Sequence, residues 1–329
     1  DIVEQLNIST VTVSKALSNK DGVGDDLRKQ IKDLAESMGY KIKKASGTTK
    51  NEDVTGNIGV LIPSRYFSPD FSYYWFIFNH LSKELLNRNY YAIMELLSDE
   101  DEENLVLPRM LQDKKVDGII FLGQLNNKYI DSVHSRFDNF ILLDFYNNNM
   151  NLDSVSNDNY YNSYILTNYV ISQGHKNLRF VGSINATASI QDRYMGFQKA
   201  LLENNITNIN NSPINDRDEK GSSIPLDIPY DNMPTAFICN NDEVAADLIK
   251  LLEEKGFKIP QDISVTGFDN YIRDTKTPQI AITTVYIKPE NTASIAADLI
   301  LKKINGEPYV KGRHLVSGNL IIKDSVASI

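Results

Sequence analysis

The stretch NIGVLIP at residues 57–63 is an apolar run between polar turn residues, and it predicts a buried β-strand. A helical pattern follows it, and then a second apolar run, YYAIMELL, at 90–97. The alternation continues with VDGIIFL at 116–122 and FILLDF at 140–145, each preceded by a helical pattern. Strands that alternate with helices predict a parallel sheet with right-handed crossovers. The first half of the body is therefore expected to be a doubly wound lobe.

A second series of the same kind begins near residue 154. Its expected strands are SVSND, LRFVGS, TAFICNN and ISVTGF, and its expected helices cover 160–173, 192–203 and 243–255. Two such lobes in tandem enclose a cleft at the carboxyl ends of their strands, where open α/β sheets bind ligands. The predicted fold class of the body is therefore α/β, with two doubly wound parallel-sheet lobes and a ligand cleft.

Upstream of the body, the first 45 residues follow an all-helical pattern. The run DIVEQL predicts one short helix, and Ser9 is a suitable N-cap for a second helix over residues 10–17. Apolar residues at helical spacing from Leu27 to Met38 predict a third helix. Two short helices joined by a tight turn form a helix-turn-helix, whose second helix can enter the DNA major groove. A small helical bundle that does not bind nucleic acid is the alternative.

Charge is divided unevenly between this head and the body. The chain carries 34 Lys and Arg residues against 43 Asp and Glu residues, a net charge of −9. Residues 1–50 hold nine basic and seven acidic residues, whereas the remainder holds 25 basic and 36 acidic residues. Because an acidic body repels a polyanion, nucleic acid is expected to contact only the head. So small a basic excess is also compatible with an ordinary solvated face.

Other features of the composition exclude several classes of protein. The single cysteine, Cys239, excludes an intramolecular disulfide and is typical of a reducing compartment. No apolar run approaches the ~20 residues that span a bilayer, and no leader pattern precedes the head, so we expect a cytoplasmic protein without a membrane partner.

The four histidines are scattered, and no Walker loop, GxSxG or HxxxH pattern occurs. We expect no enzyme, no metal and no cofactor. Asp1 already lies in a helical pattern, so the N-terminus is expected to be incomplete.

The segment ISTVTVSKALSNKDGVGDDLRKQIKDLAESMGY at 8–40 has a T-V-S step and ends in G-Y. It resembles the headpiece of the LacI/GalR family of transcriptional regulators. The resemblance implies that Thr10 and Val11 contact bases and that Thr12 and Ser14 contact phosphates. Lys15 stands where the family usually has arginine, and lysine lacks the bidentate fork that suits guanine.

The linker that follows departs from the family pattern. Family members often have a short hinge helix in which a leucine wedges into the minor groove. Here Thr48 stands at the leucine position, and Gly47 weakens a helix. We therefore expect a polar linker and less bending of the DNA.

The body resembles the type I periplasmic binding proteins, which also form the core of this regulator family. The similar segments are VDGII at 116–120, QGHKNLRFVG at 173–182, DRYMGFQKAL at 192–201, CNNDEVA at 239–245, PQDISVTGFDN at 260–270 and ITTV at 282–285. In the family the chain crosses between the lobes three times. The resemblance implies a head at 1–45, a linker at 46–57 and a core at 58–329, with one lobe at 58–155 and 284–307 and the other at 156–283 and 308–329.

The resemblance also implies an effector site in the cleft. Arg193 stands at the position of the effector-binding arginine and Asp269 at that of its acidic partner. A structural ion pair of Arg193 with Asp192 or Asp269 is the alternative. The other candidates at the cleft are Asn241, Asp144, Tyr74, Tyr73 and Ser189. We expect Asp242 to be a helix N-cap. Aromatic rings beside Arg, Asp and Asn favour a saccharide, while purine and amino-acid effectors stay open. For Tyr74 a core or dimer contact is the rival role.

Two functions follow from these patterns. In the first, a homodimeric repressor binds a near-palindromic operator, and a small effector in the cleft changes operator affinity by moving the lobes. In the second, the core is a sugar-binding sensor whose head contacts another protein and not DNA. The T-V-S pattern of the head favours the first.

Overall fold

A computed structural model describes residues 2–17, 22–38, 54–67, 73–147, 151–207, 212–219, 221–272 and 278–329. The chain forms two compact units, Asp1–Val54 and Thr55–Ile329. No helix in these described ranges is long and apolar enough to cross a membrane.

The first unit contains the three predicted helices, α1 (Ile2–Leu6), α2 (Thr10–Leu17) and α3 (Asp25–Ser37). Ser9 caps α2 as predicted, because its Oγ accepts the Thr12 N–H at 3.1 Å. Ala16, Val23 and Ile31 form a small buried core, to which Ile2, Leu6, Ile8, Val13, Leu17 and Leu27 add partly buried side chains. Met38 was expected to face this core but is 51% exposed, since it lies beyond the last residue of α3.

The first lobe of the second unit contains a six-stranded sheet in the order β10-β5-β4-β3-β1-β2, whose neighbouring strands all run parallel. Its strands are β1 (Asn57–Pro63), β2 (Tyr91–Leu97), β3 (Gly118–Leu122), β4 (Phe140–Leu143), β5 (Ser154–Asn157) and β10 (Arg313–Val316). Its helices are α4 (Tyr73–Asn87), α5 (Asp99–Glu103), α6 (Arg109–Gln112), α7 (Asn127–His134) and α11 (Pro289–Asn305). Strands β1, β3 and β4 are almost entirely buried, as their continuous apolar runs predict.

The second lobe contains a three-stranded parallel sheet in the order β6-β7-β8, together with an antiparallel pair of β9 and β11. The strands are β6 (Leu178–Val181), β7 (Ala236–Cys239), β8 (Ser264–Thr266), β9 (Thr284–Tyr286) and β11 (Asn319–Ile321). The helices are α8 (Asn159–Ser172), α9 (Ala188–Glu203) and α10 (Asp242–Glu254). The predicted α/β class and its parallel sheets are thus confirmed.

Sheet membership differs from the sequence prediction at both ends of the second lobe. The SVSND run at 154–158 was expected to begin the second series of strands, across the expected lobe boundary at 155, but β5 pairs with β4 and β10 in the first sheet. Residues 308–316 were assigned to the second lobe as well, yet β10 pairs with β5, with Arg313 opposite Ser154. Conversely, β9 was expected to belong to the first lobe, but it pairs with β11 of the second lobe. Short strands with few large side chains fit either sheet, so only tertiary packing selects their partner.

One predicted helix is also wrong. The helical pattern expected before VDGIIFL contains Leu105, Leu107, Met110 and Leu111, but the structure has the separate short helices α5 and α6, and Leu105 and Leu107 lie in neither. Pro108 is the N-cap of α6, where a residue without a backbone N–H is tolerated, whereas a helix interior requires that donor.

A close contact between α8 and α9 determines where the later site residues lie. A Cβ added at Gly196 of α9 would lie 2.1 Å from the backbone oxygen of Tyr160 on α8, so only glycine allows this approach. The contact places Arg193 on α9 beside Asn159, the first residue of α8.

Candidate functional site

A cavity of about 250 Å³ lies between the two lobes, where strands of both sheets end. All seven predicted effector residues line it: Tyr73, Tyr74, Asp144, Ser189, Arg193, Asn241 and Asp269. Further residues of the wall, which the sequence did not single out, include Arg65, Tyr66, Arg217, Gly221, Ser223, Asn240, Glu243 and Tyr271. The structure therefore brings the predicted set together and adds two arginines to it.

Arg193 is held from three sides. Its Nε donates to Asn159 Oδ1 at 2.8 Å, its Nη1 to the backbone oxygen of Asn240, and its Nη2 to Asp269 Oδ1 at 3.1 Å. The guanidinium also stacks on Phe268, 3.9 Å from the ring centroid, and the side chain is only 7% exposed. The ion pair with Asp269 that the sequence left open is present.

The position of Arg193 in its helix differs from the expectation. Helix α9 begins at Ala188, so Arg193 lies in its second turn and not at its start. Thr187 caps the helix by accepting the Ile190 N–H at 3.2 Å. Ser189, in the first turn, lies 3.0 Å from the Thr187 hydroxyl and lines the cavity.

Asp144 follows β4 and accepts a hydrogen bond from the Tyr74 hydroxyl at 3.0 Å. Burial raises the pKa of Asp144 to about 6, with the Arg193 charge opposing the rise and the Asp269 charge adding to it. Burial also raises the pKa of Asp269, against the stabilising charge of Arg193. The two carboxylates come from different lobes and share the field of Arg193.

Both acids sit on strained backbone. Asp144 has φ of 69° and Asp269 has φ of 85°, values in the left-handed region that cost a side-chain-bearing residue free energy. Strain of this kind clusters at ligand sites, because the surrounding structure must hold the residue in place.

The start of α10 is arranged differently from the prediction. Asn241, expected to contact the effector, is the N-cap, since its Oδ1 accepts the Val244 N–H at 2.8 Å. Asp242, expected to be the cap, is the first helical residue, and its Oδ2 accepts the Tyr271 N–H at 2.9 Å. Because capping uses the Asn241 carbonyl, its Nδ2 donors are the part suited to a ligand.

The aromatic candidates are packed against one another. Tyr74 contacts Tyr66 and Tyr73 edge to face, at centroid distances of 5.7 and 5.8 Å. Tyr271 of the second lobe packs 5.7 Å from Tyr73 and 5.5 Å from Phe76. Tyr73 therefore takes part in a contact between the lobes as well as in the cavity wall.

In the first unit, the predicted DNA-contacting residues lie on α2. Thr10, Val11, Ser14 and Lys15 are exposed, and Val11 is 62% exposed, a high value for an apolar side chain. Thr12 is half-buried, and its hydroxyl lies 2.9 Å from that of Ser9. Gly47 and Thr48 lie outside the described residues.

No group of three or more His, Cys, Asp or Glu side chains in the part of the chain that the structure describes could hold a metal ion. Cys239 is buried in β7, and burial raises the pKa of its thiol well above the ordinary value.

Replacing Asp144 by asparagine is expected to stabilise the protein, and more so at pH 8 than at pH 4.5. A pKa above the ordinary 3.8 means that the folded chain binds this proton more tightly than the unfolded chain. The free energy of unfolding therefore falls as pH rises through about 6, and Asp144→Asn removes this loss. The gain at pH 8 is at most about 3 kcal/mol.

Urea unfolding at several pH values measures the effect. Asp113→Asn is the matched control, because Asp113 is exposed and no gain is expected from it. A gain from Asp144→Asn that is the same at pH 8 and pH 4.5 would contradict the raised pKa.

Comparison with known proteins agrees with this architecture. The model of the periplasmic binding protein-like domain matches residues 167–326. The HTH-type transcriptional regulator RegA of Clostridium saccharobutylicum is 26% identical over 343 residues, which cover 99% of this chain and 98% of RegA. The lac repressor dimer bound to operator and the anti-inducer ONPF has a TM-score of 0.74 at 18% identity, covering 99% of this chain and 98% of that chain. The complex of the regulator CelR with cellobiose has a TM-score of 0.67 at 18% identity, covering 98% of both chains.

RegA, the lac repressor and CelR each match the chain over almost its whole length. The resemblance of the sequence to LacI/GalR regulators agrees with these matches: residues 167–326 match the periplasmic binding protein-like domain, and the chain has the fold of the lac repressor and CelR.

Proposed function

We propose that this protein is a transcriptional repressor of the LacI type, which binds a near-palindromic operator as a homodimer and responds to a small saccharide in the cleft between its lobes. The observation that carries the proposal is the cavity itself, in which Asp144 of one lobe and Arg193 and Asp269 of the other surround one space. The names of the relatives support regulation of transcription, and the cellobiose complex of CelR supports a sugar ligand.

The chemistry of the cleft suits a polyhydroxylated ligand. Each sugar hydroxyl both donates and accepts a hydrogen bond, and the cleft offers carboxylate acceptors, guanidinium donors and the Asn241 amide. Because the groups come from both lobes, a ligand that contacts all of them binds the closed arrangement best and shifts the population toward it.

The head supplies a surface suited to DNA. Thr10, Val11, Ser14 and Lys15 form an exposed patch on α2, with hydroxyls and a cation for phosphates and methyl groups for thymine. In a dimer, two such helices occupy successive major grooves, about 34 Å apart, which requires a near-palindromic site.

Two measurements on the full chain test the proposal. A thermal-shift screen of sugars is expected to show a higher melting temperature with the effector, because a ligand of the folded state stabilises it. Selection from a random DNA library is expected to enrich an inverted repeat, whose affinity for the protein changes when the effector is added. A protein that binds a sugar but enriches no DNA sequence would instead be a sensor without direct DNA binding.

A further inference from the structure

We propose that the effector carries an oxyanion, as a phosphate ester or a carboxylate on its polyhydroxyl frame, and that Arg217 binds this group at one end of the cleft. The inference rests on the proposed function of the cleft and specifies the class of its ligand.

The backbone of Arg217 is held firmly beside the cavity. It lies in the segment after α9 that pairs with β6 through a bridge between Val181 and Ile214. The Ser183 hydroxyl accepts the Arg217 N–H and donates to the Arg217 carbonyl oxygen, both at 2.8 Å. A second bridge joins Arg217 to Ser223. The side chain therefore projects from a fixed backbone position, which lowers the entropy lost when it binds a ligand.

The guanidinium of Arg217 is only partly used by the protein. Its Nε donates to Asp216 Oδ2 at 3.2 Å, while its terminal nitrogens make no hydrogen bond to any residue that the structure describes. The side chain is 21% exposed and lines the cavity. Two parallel N–H donors on one planar group match a phosphate or a carboxylate bidentately.

Asp216 pairs with only the Nε of Arg217, and its two oxygens also accept from other donors. Its Oδ1 accepts the Ser183 N–H at 2.8 Å, and its Oδ2 accepts the Asn240 side-chain amide at 2.7 Å as well as Arg217. The acid thus stabilises the loop in addition to pairing with the arginine, and the far edge of the guanidinium stays available.

The other two arginines of the cleft differ in this respect. Arg193 donates to three separate acceptors, as described above. The Nη1 of Arg65 donates to Asp99 and Glu102, and its Nη2 donates to the Gln124 carbonyl at 2.9 Å. Arg217 is therefore the arginine of this wall that is best placed to receive a ligand oxyanion.

Contacts between neighbouring side chains connect Arg217 with the acids and aromatic residues of the cavity wall. Asp269 pairs with Arg193, and Asp144 accepts from Tyr74. Tyr74 contacts Tyr66, and Tyr66 lies under the Arg65 guanidinium at 4.9 Å. A Cβ on Gly221, four residues after Arg217, would lie 3.1 Å from the Tyr66 hydroxyl, so the Arg217 loop meets this same end. Arg217 thus lies on the same wall as Tyr66, Tyr74 and the two acids, so one ligand can place hydroxyls on the acids and an oxyanion on Arg217.

The test compares matched pairs of ligands on the full chain by isothermal titration calorimetry. The pairs are glucose with glucose 6-phosphate, ribose with ribose 5-phosphate and glucose with gluconate, and inorganic phosphate alone is measured separately. At least one anionic member is expected to bind ten times more tightly than its neutral parent, with a Kd that rises with salt. Comparison of the two phosphate esters with gluconate shows whether the site binds a phosphate or a carboxylate.

Variants then assign the effect to Arg217. Arg217→Gln is expected to weaken the anionic ligand at least tenfold and to leave the neutral parent within twofold. Arg179→Gln is the matched control, because Arg179 lies on β6 outside the cleft and its Nε donates to Ser212 of the same segment at 3.1 Å. No change in either Kd is expected from it.

The outcomes separate this inference from the proposed function. The inference is overturned if every neutral sugar binds as tightly as its anionic partner. It is also overturned if Arg217→Gln weakens the neutral and the anionic ligand equally. Neither result contradicts a saccharide site in the cleft. Weakening by Arg179→Gln equal to that by Arg217→Gln also overturns the inference. No binding by any member of the panel contradicts both.

Discussion

Replacing Arg193 by methionine is expected to abolish the response to effector and to lower the free energy of unfolding by about 3–5 kcal/mol. The loss is large because the variant leaves Asn159 Oδ1, the Asn240 carbonyl oxygen and the Asp269 carboxylate without their donor in a buried site. Urea unfolding measures the stability, and operator affinity with and without effector measures the response.

Two further variants identify the cause of the Arg193 effect. Adding Asp269→Asn to Arg193→Met removes the buried unpaired charge, so part of the stability is expected to return while the effector response stays absent. Arg313→Met is the control, because Arg313 stacks on Tyr146 at 3.7 Å but its side chain is 44% exposed; its cost should be below about 1 kcal/mol. A full effector response in Arg193→Met would remove Arg193 from the site.

Replacing Lys15 by glutamate is expected to weaken operator binding by roughly a hundredfold or more at moderate salt. Lys15 is exposed on α2, beside the hydroxyl and methyl groups of the proposed contact surface, so the variant places a negative charge against the DNA. Fluorescence anisotropy with labelled operator measures the Kd, and the melting temperature checks that the core is unchanged.

Lys29→Glu is the control for this variant. Lys29 is exposed on α3 of the same unit, so the change in net charge is identical while the position differs. We expect it to weaken binding only a fewfold. Equal losses from both variants would mean that overall charge, and not contact by α2, determines affinity.

Much of the fold follows from local patterns. The head helices were predicted because Ser9 offers a cap and apolar residues recur at helical spacing, and both depend on near neighbours in the chain. Buried strands such as β1 were predicted because a continuous apolar run has few other places to lie. The lobes of the SVSND run and of residues 308–316 were assigned wrongly, because β5 pairs with β10, about 160 positions away, and such pairing leaves no local pattern.

The residues of the candidate site also separate into those that the sequence predicted and those that only the structure revealed. The seven residues predicted to contact an effector were chosen because their positions resemble a known family, and all seven line the cavity. Asn159, Asn240 and Arg217 were missed. Asn159 meets Arg193 only because α8 and α9 approach closely at Gly196, and Arg217 lies in a segment with no strand or helix pattern.

The sequence by itself determined most of the order of helices and strands, the α/β class and the types of side chain available to a ligand, because periodicity, caps and residue chemistry are local properties. Only the tertiary structure decided which donors remain for a ligand. Arg193 and Arg217 are chemically the same residue, yet Asn159, Asn240 and Asp269 use three donors of the first, while Asp216 uses one of the second. That difference arises from contacts between distant segments, and it is the physical basis for expecting an anionic effector.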